Sequence, residues 1–221
     1  SPLAAWLAAE TGAPTVAFGP HPPEGPDDEI DDRPPEEKPP PKDPEGEGEG
    51  EGEGEGEGEG SGEVKMEESV DRAFTPDITV VTGDVAAEGP GFTLTAVHTP
   101  GHTSNHTCFA FAEERALFTG DHVMGWSTTV VAPPDGDMAA YMASLEEVAR
   151  RDDEVLWPTH GPPRHDGAAY VRALVDHRLQ REQQIVDAIG AGRQRVMAMV
   201  ELLYADVRSE LHEAAARSVL S

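Results

Sequence analysis

The chain has 221 residues and a formal net charge of −27 at pH 7, from 43 acidic and 16 basic side chains. That length allows one domain with a small appendage, and that charge repels phosphate backbones, which argues against general nucleic-acid binding. The longest apolar runs are far short of a membrane span. Cys108 is the only cysteine, so no intrachain disulfide can form; with no visible signal peptide, a reducing cytoplasm is expected.

In chain order, Pro2–Thr11 puts Leu3, Ala4, Leu7 and Ala8 at helical spacing, with Ser1 as N-cap and Gly12 as stop. Pro14–Phe18 reads as a short buried strand. Residues 21–66 are then proline, glycine and acid. The Glu-Gly repeat from Glu45 to Gly60 has no apolar group to bury and much backbone entropy to lose. Residues 24–63 hold 18 Asp and Glu against Arg33, Lys38 and Lys42, so a disordered, self-repelling spacer is expected.

Past the spacer, Ile78–Val81 reads as a strand followed by a Gly-Asp turn. In Phe92–Val97, Phe92, Leu94 and Ala96 alternate with Thr93 and Thr95, the pattern of a half-buried strand. His106–Phe111 and Ala116–Phe118 are two more strands joined by a tight turn at Glu113-Glu114-Arg115. Asp137 caps a helix to about Arg151, with Met138, Tyr141, Met142, Leu145 and Val148 as its apolar stripe. Val155–Trp157 is a last short strand. A long helix from Asp166 to Gly190 follows, then helices over Val196–Tyr204 and Ser209–Leu220, which together suggest a small helical subdomain.

Three polar motifs fall at predicted strand ends: His98-Thr99-Pro100-Gly101-His102-Thr103, Thr119-Gly120-Asp121-His122 and Pro158-Thr159-His160-Gly161. Imidazole and carboxylate suit zinc, and equally iron or manganese. Singly, each has an ordinary reading: His102 as a packed loop histidine, Asp121 as a turn carboxylate, His160 as the start of a rigid turn. Jointly they project from one sheet edge, where sites in layered α/β proteins gather. His122 is expected to support Asp121 or the substrate from behind. His98 reads as structural or as a support behind the site, and His106 as a packed strand histidine or a support for the site. His165, His177 and His212 lack metal-like spacing, and Cys108 reads as a small core residue.

These motifs resemble the second half of the metallo-β-lactamase-fold hydrolase signature. The stretches Gly120-Asp121-His122-Val123-Met124-Gly125-Trp126, Pro134-Asp135-Gly136-Asp137 and Tyr141-Met142-x-Ser144-Leu145 are similar to its lactamase-beta-2-like branch. So are His177-Arg178, Arg181-Glu182, Tyr204-Ala205-Asp206 and Leu211-His212 in the trailing helices. The resemblance implies an α/β fold that is part of an αββα sandwich, followed by a winged-helix-like helical subdomain. The divisions are then 1–20 as a fragment of the sandwich, 21–66 as insert, 67–165 as the second half of the fold, and 166–221 as the helical part.

It further implies that His102 binds a first zinc, Asp121 bridges two, and His160 binds the second. A metal-activated water would hydrolyse an ester, thioester or phosphodiester, and the acidic surface favours a small ester or thioester over RNA. The family's His-x-His-x-Asp-His motif, which supplies the other four ligands ahead of a helix like Ser1–Thr11, is absent from this sequence. Impaired metal binding and activity are therefore expected of the chain alone. The alternative is a non-catalytic remnant or interaction module of the same fold.

Overall fold

The computed structural model describes residues 2–22 and 74–205, together with His212, Ala215, Ala216 and Val219. Helix α1 (Pro2–Thr11) stops as predicted: Gly12 turns left-handed at φ 67° and its N–H closes on the Ala8 carbonyl at 2.9 Å. The first strand is shorter and less buried than expected. Only Val16–Ala17 (β1) is extended, half-buried, and it pairs in parallel with an exposed β2 reduced to Ile78–Thr79. The Asp77 carboxylate ties this pair by accepting both the N–H and the hydroxyl of Thr15, each at 2.8 Å.

The predicted spacer lies outside the described residues except for His21 and Pro22. His21 Nδ1 is 3.6 Å from the Asp135 carboxylate, so the packed part of the chain includes at least this residue. Ser1 as a cap and most of the Ser209–Leu220 helix also lie outside the described residues.

The main sheet has five strands in chain order: β3 (Val85–Gly89), β4 (Phe92–His98), β5 (Thr107–Phe111), β6 (Ala116–Gly120) and β7 (Val155–Pro158). Neighbours are antiparallel except β6 and β7, which run parallel and so need a crossover helix. Sequence reading missed β3. Val85-Ala-Ala-Glu-Gly lacks both alternation and strong strand formers, and it is held extended by its hairpin partner β4. The β5–β6 turn is a short 3₁₀ segment, Ala112–Glu114, with Arg115 left-handed at φ 46°.

Helix α2 (Met138–Arg150) is the crossover, and the Asp137 carboxylate caps it by accepting the Ala140 N–H at 2.8 Å. Tyr141, Leu145 and Val148 pack on Val97, Cys108, Ala110, Leu117 and Leu156 of the sheet. The alternation in β4 therefore runs opposite to expectation: Val97 belongs to the helix-covered core, although Ala96 is buried as well. On the other sheet face Ala96, Phe109, Phe118 and Trp157 form one cross-strand row, with Phe118 and Trp157 partly exposed.

Helix α3 (Gly167–Gly190) starts in the same core through Val171 and Leu174, and packs along α2. Its second half leads to α4 (Val196–Leu203), where Val200, Ala215 and Ala216 make a separate cluster. The Arg181 guanidinium lies 4.2 Å over the Tyr204 ring and donates to the Leu203 carbonyl at 2.6 Å, joining the two helices. Among the described residues no helix is long and apolar enough to cross a membrane.

Candidate functional site

The loop after β4 is shaped by α2. Gly101, at φ 136°, lies so close to the helix that a Cβ would meet the Tyr141 Cα at 2.3 Å. Its carbonyl accepts the Asp137 N–H at 2.9 Å, and the Pro100 carbonyl accepts the Ser144 hydroxyl at 2.8 Å. Only glycine permits that approach. His102 is thereby held with Nδ1 2.6 Å from the Val130 carbonyl. A carbonyl only accepts, so the Nδ1–H donates and Nε2 keeps its lone pair, the arrangement a metal-binding imidazole needs. His98 packs under Phe18, which stacks on it at 3.8 Å, and its Nε2 lies 2.9 Å from the Ser104 carbonyl.

The second loop leaves β6 through a register shift between Phe118 and Gly120. Such irregularities re-aim the side chain that follows, here Asp121. Gly120 is left-handed at φ 54°, and a Cβ on it would come within 2.7 Å of His106 Nε2. The third loop, after β7, brings His160 Nε2 to 3.5 Å from Asp121 Oδ1. Two glycines far apart in sequence make that approach possible. A Cβ on Gly125 would strike the Pro162 carbonyl oxygen at 2.3 Å, and one on Gly161 would lie 2.9 Å from the Gly125 Cα. The Gly125 N–H donates to the His160 carbonyl at 2.8 Å, fastening the two loops.

Behind the loops lies a layer of buried polar groups. His106 receives the Asp121 N–H on Nε2 at 3.2 Å and turns Nδ1 to the Thr99 hydroxyl at 2.8 Å. Burial, helped by the His102 and His98 rings, pushes its pKa down to about 4 and keeps it neutral. His122 is fully buried between the His106 and Tyr141 rings, at 5.9 and 5.0 Å; its ring nitrogens make no well-formed hydrogen bond, and the Ser144 backbone lies beside the ring. Burial and the His106 ring push its pKa down to about 3. Thr129 donates to the Asp121 and His122 carbonyls, and its own carbonyl accepts from buried Arg178 of α3.

Of the residues predicted from sequence, Asp121 and His160 are thus brought side by side. His102 sits on the adjoining loop, edge-on to His106 at 6.3 Å between ring centroids. Among the described residues no three His, Cys, Asp or Glu side chains form a group that could hold a metal ion. What is present nevertheless suits one edge of such a site. The Asp121 side chain is 32% exposed, and its enclosed Oδ1 makes no hydrogen bond, with His160 Nε2 3.5 Å away; this oxygen has capacity left for a further partner, and His102 has its tautomer set. Sequence reasoning did not foresee the Arg178 brace. The available signal was a charged residue four positions after Leu174 on the core-facing stripe of a helix.

The family model described as the metallo-beta-lactamase superfamily matches residues 3–160. An atrochrysone carboxyl ACP thioesterase of Aspergillus chevalieri is 36% identical over 122 residues, 55% of this chain and 38% of that protein. The lactamase-like protein aptB of Emericella nidulans is 37% identical over 136 residues, 57% of this chain and 43% of that protein. The chain thus spans less than half the length of these curated relatives. A beta-lactamase domain protein from Burkholderia ambifaria has the same fold, with a TM-score of 0.59 at 19% identity over 67% of this chain and 47% of that one. The sheet with its crossover helix, the loops at its edge and the match over residues 3–160 lead to one conclusion: the chain belongs to the metallo-beta-lactamase superfamily.

Proposed function

We propose that this chain carries part of the site of a zinc-dependent hydrolase whose substrate is a thioester or related small ester. The observation that carries the proposal is the approach of Asp121 Oδ1 to His160 Nε2 at 3.5 Å, with that oxygen making no hydrogen bond. Asp121, His160 and His102 are the residues that would hold metal, with Asp121 central to the set. When bound, zinc would supply Lewis acidity, lowering the pKa of a water and polarising a carbonyl. The protein's own part is positional. The His102 Nδ1–H to Val130 bond fixes which nitrogen is free, Gly125 and Gly161 set the approach of His160 to Asp121, and Thr129 with Arg178 braces the loop from behind.

The thioester reading draws on the named activity of the Aspergillus chevalieri relative and on the chain's acidity. With a net charge of −27, a neutral or small acyl thioester is less repelled than RNA. Since no three of the described side chains group to hold a metal, turnover by this chain alone should be slow. Acyl-thioester hydrolysis under saturating zinc tests the proposal, comparing the chain with a version extended upstream through a His-x-His-x-Asp-His region. Gain of turnover on extension, abolished by Asp121→Ala, is the expected result. Equal turnover by both proteins would refute the assignment of an incomplete site.

A further inference from the structure

His106 lies outside the three loops' ligand set, yet the geometry ties it to the most constrained stretch of the site. Asp121 N–H can only donate, so His106 Nε2, at 3.2 Å, must accept. The ring then carries its proton on Nδ1 and donates it to the Thr99 hydroxyl at 2.8 Å. The Thr99 proton is left for the Cys108 sulfur, at 3.2 Å, and the Cys108 S–H points to the Thr119 carbonyl, at 3.5 Å. One fixed donor at the Asp121 end orients every group in the series. The relay begins on Asp121 and ends on Thr119, so it clamps the three residues Thr119, Gly120 and Asp121 across the irregular end of β6.

Two further facts show that this clamp is built in. Gly120 is left-handed, and a Cβ there would overlap His106 Nε2 at 2.7 Å. Thr99 and Cys108 are both completely buried, so the relay has no water to replace a missing member. The loop residue just ahead of β5 thus supplies through its side chain the hydrogen bond that the irregular end of β6 leaves to the Asp121 amide.

We infer that His106 is a positioning residue: as a neutral Nδ1–H imidazole it anchors the Asp121 amide and so fixes where the Asp121 carboxylate meets His160. Its effect on metal rests on the proposed role of Asp121 as a ligand; its effect on the amide does not. Gln at position 106 keeps an acceptor at the place of Nε2 and a donor beside it, whereas Leu fills the volume with neither.

The test is amide hydrogen exchange at Asp121 in the wild type, His106→Gln and His106→Leu, together with the imidazole nitrogen resonances of His106 in the wild type. The expected result is a slowly exchanging Asp121 amide in the wild type and the Gln variant. In the Leu variant exchange should quicken at Asp121 while the amides of β4 and β5 keep their protection. In the wild type His106 should show a protonated Nδ1 and a bare Nε2. Cobalt(II) affinity read in parallel should fall about 10–100-fold in the Leu variant, as for lost outer partners of metal ligands, and recover with Gln. An Nε2–H tautomer, or equal Asp121 protection in all three proteins, overturns the inference. If the Leu variant fails to fold, loss of Asp121 protection in a folded Gln variant, or the wrong tautomer in the wild type, overturns it equally. If cobalt affinity is the same in the wild type and Asp121→Ala while the exchange pattern holds, the ligand reading fails and the clamp stands.

Discussion

Replacing Gly125 by alanine should separate the two loops that bring Asp121 and His160 together. The new Cβ would lie 2.3 Å from the Pro162 carbonyl oxygen and 2.8 Å from the Pro162 nitrogen, well inside the ~3.5 Å at which non-bonded heavy atoms become attractive. The obstacle is backbone, so no side-chain rotation relieves it and the loops must part by roughly 1 Å. Overpacking of this kind costs about 1–3 kcal/mol. Loss of the Gly125 N–H to His160 carbonyl bond, 2.8 Å in the structure, adds about 1 kcal/mol. The sum, about 2–4 kcal/mol, corresponds to a fall in Tm on the order of 5–15 °C for a chain of this size. Gly12→Ala is the control. It places a residue at φ 67° with nothing within 4 Å of the new Cβ, costing about 1–2 kcal/mol of backbone strain without touching any site residue. Thermal unfolding and zinc titration of both variants are the assays. Gly125→Ala should lose stability and zinc affinity together, and Gly12→Ala stability alone. Unchanged zinc affinity in a destabilised Gly125→Ala protein would refute the link between loop approach and ligand geometry.

Leu145 is fully buried where α2 meets the sheet, so Leu145→Ala should cost about 2–5 kcal/mol in urea unfolding; a loss under 1 kcal/mol would place the core elsewhere. Arg178→Met should cost about 1–3 kcal/mol, because it strands the buried Thr129 carbonyl without its donor; wild-type stability would show that the brace is dispensable. Burial pushes the Cys108 thiol from its ordinary 9.0 up to about 12. The unfolded thiol therefore ionises first, and stability should fall as pH rises between about 9 and about 12, by at most about 1.4 kcal/mol per unit. Cys108→Ala should lack that part of the slope, and an identical slope in both proteins would contradict it.

Helices were the most legible part of the sequence, because the stripe on α2 and the Asp137 cap are local signals that tertiary packing then reinforced. Strands were less so. β3 has no pattern of its own and exists because β4 pairs with it, while β1 was read as buried although it is only half-buried. At the site, the residue types of His102, Asp121 and His160 could be read from their motifs. The contact of Gly125 with Gly161, the reach of Arg178 to Thr129 and the bond from Asp121 to His106 could not. Each joins positions whose proximity depends on strand register or helix docking, which no local window of sequence encodes.

The central claim is that Asp121, His160 and His102 form one edge of a metal site, and imidazole nitrogen resonances during a zinc titration test it most directly. Nε2 of His160 and Nε2 of His102 should move toward metal-bound values, with His98, His106 and His122 unmoved, and Asp121→Ala should abolish the shifts. Zinc-dependent shifts confined to other histidines, or persisting undiminished in Asp121→Ala, would contradict it.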